Sequence, residues 1–324
     1  MNTTLTAVDG LEVGHYTDLR NATGCSVVIC RQGAVGGVDV RGGSPGTRET
    51  DLLGPGRRVD QVHAIVLSGG SAFGLDSASG VVSYLAEQGI GFQAGPALVP
   101  IVPAAILFDL GLITSEVRPG PVEGRAACFA ASSKPVVEGS VGAGTGATVA
   151  KGKGISFAVK GGLGSASFTL PGGAVVAAMV AVNAHGGIFD HKSGRLIAGP
   201  RREQGDGMDD PVEIALEGLT EGGPRLLTNT TIGVVATNAV LSREATNRLA
   251  TVSHDGLALT IRPCHTMGDG DTMFALATGR YQEPVQMNAL TTAAVEVTAQ
   301  AVMRAVQSAT GLGGVPAESE LIHA

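Results

Sequence analysis

Tryptophan is absent from this 324-residue chain and aromatic residues make up 3% of it, which removes the stacking platforms a nucleic acid or a carbohydrate would need. Charge is sparse, at 16% of residues, and leans acidic, with a formal net charge of -7. That balance repels phosphate backbones and anionic membrane surfaces. A small neutral or cationic ligand suits it, and neither nucleic acid nor membrane is expected as a partner. Long apolar runs are missing too: Leu98 to Phe108 is broken by Pro100 and Pro103, and Ala174 to Val182 falls short of the roughly 20 residues a membrane helix needs. Cys25, Cys30, Cys128 and Cys264 form neither a CxxC pair nor an evenly spaced disulfide framework, and read as reduced core thiols. The start of the chain has no basic stretch leading into an apolar core, so a cytoplasmic protein is the expectation.

Glycine is what the chain has in quantity, with 49 residues, so tight turns and close backbone approaches are frequent. A hairpin is predicted over Leu11 to Arg31, turning at Asn21 to Gly24, and a strand over Val62 to Leu67. The Ser68 to Gly74 turn and a helix over Leu75 to Glu87 follow, then a short Ala-rich helix over Gly124 to Ser132. Lys160 to Leu170 reads as a bend and strand, and Ala174 to Val182 as a strand or a buried helix. Residues 192 to 228 lose periodicity and read as a long loop. Thr231 to Thr237 is a β-branched strand, and Ser242 caps a helix to about Ser253, stopped by Gly256. Leu257 to Ile261 and Thr272 to Thr278 read as strands on either side of a turn at Cys264 to Asp271, and Asn288 to Ala309 as a helix. Strands and helices mix throughout without repeat or linker, which predicts one layered α/β domain over residues 1 to 324.

Chemistry-bearing residues fall at the ends of these elements. Thr230 follows Asn229 at the mouth of the β-branched strand. A threonine freed at its amino side gains an α-amine with a pKa of about 7.7 to 8.0, able to act as base for its own hydroxyl. Taken locally, Asn-Thr-Thr before an apolar run reads first as an ordinary turn entering a core strand. Asp269 and Asp271 stand at alternate positions, potentially on one face, where proximity would raise one carboxylate's pKa; as a bare motif they are also an exposed acidic turn. An EF-hand reading fails, because its sixth and twelfth positions would be Phe274 and Arg280. Asn183 ends an apolar run and could donate to a developing oxyanion, or simply form a turn. Lys151 closes the glycine-dense segment from Glu138 and could place a cation beside the nucleophile, or be solvated. Arg41, Arg48 and Glu49 could orient a substrate, or be the solvated charges of a structural loop.

Other motifs are weaker. Ser44 sits in a GxSxG spelling, but the next residue is Pro45, which has no N–H to lend to an oxyanion hole. The Ser68 to Gly74 turn and the GxGxxA of Gly142 to Ala147 leave open a non-catalytic anion- or nucleotide-binding module, although neither has the flanking elements or the lysine of a true phosphate motif. The seven histidines make no metal-ligand spacing, so no metal or cofactor is expected. His265 near the aspartates leaves a Ser-His-Asp arrangement open, with no serine standing out as its nucleophile.

Taken together, Asn229 to Asn238, Gly268 to Phe274, the glycine segment ending at Lys151 and the Leu67 to Leu75 stretch resemble the DmpA-type aminopeptidase family, which includes the nylon-oligomer hydrolases. The resemblance runs in order from about residue 11 to 310. It implies an αββα sandwich of N-terminal-nucleophile-hydrolase type, self-cleaved into an α chain (1-229) and a β chain (230-324) that stay together and assemble into a homo-oligomer, often a tetramer of α/β units. It also implies that Thr230 is the nucleophile and Asn183 the oxyanion-stabilising amide, with Lys151, Asp269 and Asp271 at the remaining catalytic positions. The chain departs from the aminopeptidase branch. There the nucleophile is a serine after glycine, a serine and a glutamate stand in place of the two aspartates, and some members have a tyrosine where Arg125 is expected here. The expected substrates are amino-terminal residues of small peptides or amides, with linear 6-aminohexanoate oligomers as the alternative and acyl transfer to an amine as a third possibility.

Overall fold

The computed structural model describes residues 2–203, 207–217 and 229–321. A nine-stranded sheet organises them. Its strands are β1 (Glu12–Asp18), β2 (Thr23–Val40), β3 (Thr47–Arg48), β4 (Gln61–Ser68), β5 (Ala104–Ile106), β6 (Gly162–Thr169), β7 (Val175–Asn183), β8 (Thr230–Ala239) and β9 (Thr272–Tyr281). The helices are α1 (Ser77–Glu87), α2 (Pro121–Phe129), α3 (Pro211–Glu217), α4 (Arg243–Thr260) and α5 (Met287–Gln307). Strand order is β6-β7-β8-β9-β2-β4-β5-β3, with β1 also on β2.

Strand β2 is the hinge of this arrangement. Its first half pairs with β1 and β4, while its second half pairs with β9, and its register with β4 shifts between Ile29 and Ala34. A bulge of this kind bends a strand and strengthens its twist, so one sheet becomes two packed halves. The period of two along each strand sorts side chains between three cores. On β8, Ile232, Val234 and Ala236 enter the core between the sheet halves, while Val235 packs outward beneath α4 and α5. On β4, Ile65 and Leu67 enter the same central core, while Ala64 and Val66 pack beneath α1 and α2. The result is the αββα sandwich that the resemblance implies. No described helix is long and apolar enough to cross a membrane.

Two expectations need correction. Helix α4, capped by the Ser242 hydroxyl at the Ala245 N–H (3.2 Å), does not stop at Gly256 but runs to Thr260. A side chain at Gly256 would sit 2.6 Å from the Val295 carbonyl, so that glycine admits α5 at close range instead of ending α4. The buried positions 249, 250, 253, 256, 257 and 260 keep helical spacing through the stretch that reads as a strand. The supposed long loop at 192 to 228 contains a short strand, Leu196–Ala198, and α3; Pro211 opens that helix, and Asp210 accepts the Val212 N–H at 2.7 Å. Residues 218 to 228, the approach to Thr230, lie outside the described residues. Ala174 to Val182 resolves as strand β7.

Candidate active site

Strand pairing brings the distant candidates together. Strands β7 and β8 run antiparallel with Asn183, the last residue of β7, opposite Thr230, the first of β8. Strands β8 and β9 run parallel, so their starts share one edge and the Asp269–Asp271 turn lies beside Asn229–Thr231. Thr230 is only 4% exposed, and Asn183, Asn229, Asp269 and Asp271 are buried with it.

The Thr230 hydroxyl donates to the Asn229 carbonyl. The Gly270 N–H donates to that same oxygen at 3.0 Å. The peptide bond before Thr230 therefore has a hydroxyl on one side and a backbone donor on its oxygen. Asp271 accepts the Thr231 N–H at 2.6 Å through Oδ1, and through Oδ2 the His265 N–H at 3.1 Å and its ring Nδ1 at 2.7 Å. Burial works most strongly against charge on His265, but the hydrogen bonds and charges of Asp271 and Cys264 together outweigh it and push the ring up to about 10. The ring also meets His254 edge-on, with centroids 4.9 Å apart. Asp269 accepts the Thr266 N–H at 2.7 Å and its hydroxyl at 2.6 Å, and is raised above the ordinary carboxylate range first by burial and then by the Asp271 charge. Burial is thus the first cause that pushes Asp269 toward its acid form, with the neighbouring carboxylate adding to it.

Facing this pair, Lys151 donates to the Asn183 side-chain oxygen at 2.9 Å and backbone oxygen at 3.1 Å. Lys151 is half-buried with its ammonium turned inward. Burial lowers it to about 7, against the pull of Asp269. The Thr148 N–H also donates to Asn183 Oδ1, at 3.0 Å, and Asn183 Nδ2 donates to the Phe108 carbonyl at 2.9 Å.

All five candidate side chains and Asn229 meet at this edge. Other candidates do not join them. Arg41 pairs with Asp39, Arg48 bonds Ser79, and the Ser44 hydroxyl donates to the Met267 carbonyl. The Arg41–Ser44 backbone is what serves the site, since its N–H groups bind the Asp269, Asp271 and Thr266 carbonyls. Arg125 forms an ion pair with Glu87 between α2 and α1. Phe108, Thr148 and Thr266 were not singled out in the sequence. Among the described residues no group of three or more His, Cys, Asp or Glu could hold a metal ion. Clefts of about 510 and 550 Å³, lined by residues such as Glu213 and Arg202 or Arg48 and Phe73, do not include Thr230.

The fold has a solved counterpart in the L-aminopeptidase D-Ala-esterase/amidase from Ochrobactrum anthropi, described as a variant of the Ntn-hydrolase fold. Its TM-score is 0.72 at 20% identity, over 97% of this chain and 88% of that one. The chain therefore has the Ntn-hydrolase fold. The model of Peptidase family S58 matches residues 3–319, and the chain belongs to this peptidase family, the DmpA family. It is 40% identical over 341 aligned residues to an uncharacterized aminopeptidase of Mycobacterium leprae, covering 96% of this chain and 92% of the relative. It is 32% identical over 279 residues to the 6-aminohexanoate-oligomer endohydrolase of Kocuria sp., covering 85% of this chain and 75% of the relative.

Proposed function

We propose that the protein is a self-processing threonine amidohydrolase that cuts between Asn229 and Thr230 and then hydrolyses amides through an acyl-enzyme on Thr230. The carrying observation is the Asn229 carbonyl, contacted by the Thr230 hydroxyl and by the Gly270 N–H at 3.0 Å. Attack by Oγ on that carbon forms an oxyanion which the Gly270 N–H stabilises, and collapse breaks the C–N bond and leaves an ester. The hydroxyl proton passes to the departing nitrogen, which becomes the Thr230 amine, and water then hydrolyses the ester to free the hydroxyl and the Asn229 carboxylate. Departure of the Asn229 chain end would uncover a hydroxyl that is buried in the uncut chain.

In the mature enzyme the Thr230 amine takes the hydroxyl proton and Asn183 donates to the substrate oxyanion. Lys151 and Asp269 lie within electrostatic reach of one another and would set the protonation of the new amine, while Asp271 orients the strand through the Thr231 N–H. Thr231 stays a strand residue. Small peptides or amides with a free amino terminus are the substrate class. The similarity to a 6-aminohexanoate-oligomer endohydrolase favours linear ω-amino-acid oligomers as the second reading. The two fragments remain together and associate further into homo-oligomers.

A denaturing gel with mass measurement tests the processing step. Two fragments, the smaller beginning at Thr230, are expected. An intact chain after prolonged incubation, or a different new terminus, would sink it. Turnover of aminoacyl p-nitroanilides against 6-aminohexanoate oligomers then separates the two substrate readings.

A further inference from the structure

One buried charge pair has no part in the chemistry above. Lys160 is 0% exposed, and its ammonium donates to the carbonyls of Ala147 (2.7 Å), Gly161 (3.0 Å) and Gly144 (3.1 Å). These three acceptors match its three N–H donors. Burial lowers it to about 7 against the attraction of Asp109. Asp109 is buried as well, accepting the Gly70 N–H and the Thr23 hydroxyl, each at 2.7 Å, and burial pushes it up to about 6. Only a glycine fits at position 69, because any side chain there would overlap the Asp109 carboxylate. Apolar residues of similar volume often stabilise a core as well as buried charges do, so these two side chains point to a role in positioning.

Both charges stand one residue away from a contact of the Asn183 amide. The Ala147 carbonyl held by Lys160 belongs to the same peptide unit as the Thr148 N–H, which donates to Asn183 Oδ1 at 3.0 Å. Asp109 follows Phe108, whose carbonyl accepts Asn183 Nδ2 at 2.9 Å. We propose that Lys160 and Asp109 form a buried clamp on Asn183, with Lys160 a positioning residue for oxyanion stabilisation. A cation on the Ala147 carbonyl polarises the peptide and strengthens its N–H as a donor, and hydrogen bonds in such a chain reinforce one another. Electron density drawn toward Oδ1, by Thr148 and by Lys151 together, makes the Nδ2 hydrogens better donors. Asp109 fixes the neighbouring backbone through Gly70 and Thr23, and with it the direction of the Phe108 carbonyl.

This inference rests on the reading of Asn183 as the oxyanion donor, and its test separates the two. Processed enzyme is assayed on the aminoacyl p-nitroanilide or 6-aminohexanoate oligomer that it turns over fastest. Lys160→Met should lower kcat about tenfold, the worth of roughly one hydrogen bond, and leave KM within about twofold. In an Asn183→Ala background the same change should cost nothing further. An equal loss in that background, or an unchanged kcat in Lys160→Met alone, overturns the clamp. Native kcat in Asn183→Ala overturns the reading of Asn183 instead. Because Lys160→Met leaves Asp109 uncompensated and could fail to fold, Lys160→Met/Asp109→Asn removes both charges. It should fold and retain the kcat loss; recovery of native kcat would reduce the pair to charge balance and refute a positioning role.

Discussion

The two walls of the candidate site are built on opposite plans. The anionic wall is local: Asp269 and Asp271 take their donors from Thr266 and His265, three and six residues away, and from Thr231 on the adjoining strand. The cationic wall is dispersed, with Lys151 and Lys160 held by oxygens of Gly144, Ala147, Gly161 and Asn183. The difference follows from hydrogen-bonding capacity. A carboxylate accepts from any nearby N–H, so one turn can satisfy it, whereas a lysine only donates and must find several carbonyls pointing inward. Glycine-dense backbone provides these, since it can turn where side-chain-bearing residues cannot.

Breaking the centre between the walls has the largest expected effect. Thr230→Ala should remain one chain on a denaturing gel and hydrolyse no amide, because nucleophile and base are lost together. Next comes the cationic side. Asn183→Ala should lower kcat by about 10² to 10³ with KM little changed, the cost of one oxyanion donor, read from steady-state kinetics. On the anionic side, Asp271→Asn should cost about 3 kcal/mol of stability in urea titration, because a buried ion pair is broken from one end.

The pH dependence of the urea midpoint sharpens the contrast. His265 is raised from 6.5 to about 10, so its stabilisation is complete below pH 6.5 and fades as pH climbs to about 10. Lys160 is lowered from 10.5 to about 7, so its destabilisation is complete below pH 7 and lifts as pH climbs to 10.5. His265→Asn and Lys160→Met should therefore change the slope in opposite directions across alkaline pH, and a common direction would refute the opposed plans. Smallest of all, Ser44→Ala, which loses one exposed hydrogen bond to the Met267 carbonyl, should leave activity within about twofold of native.

Legibility in the sequence follows the same division. Thr230, Asp269 and Asp271 mark the starts of strands whose β-branched or alternating runs are plain, and parallel pairing of β8 with β9 brings those starts together. Asn183 ends an apolar run, so its burial was readable, but its register opposite Thr230 was not, because register depends on a partner strand far along the chain. Lys160 and Asp109 each interrupt apolar text, at Ala158-Val159-Lys160 and Ile106-Leu107-Phe108-Asp109. That is a usable signal for a buried charge, yet nothing local names the partner. Gly256 misled because a helix-ending residue and a helix-packing residue are the same letter. Its role is visible only once α5 lies against α4.

Strand β8 lies between β7, from upstream of the proposed cut, and β9, from downstream of it. Before cleavage the three belong to one polymer, and denaturant can be removed at any dilution without the pieces losing one another. After the proposed cleavage the same sheet would be a heterodimer with two seams, β7 against β8 and β9 against β2. Its reassembly would become second order in protein, and the cut would convert a reversible fold into one that persists chiefly because it is slow to come apart.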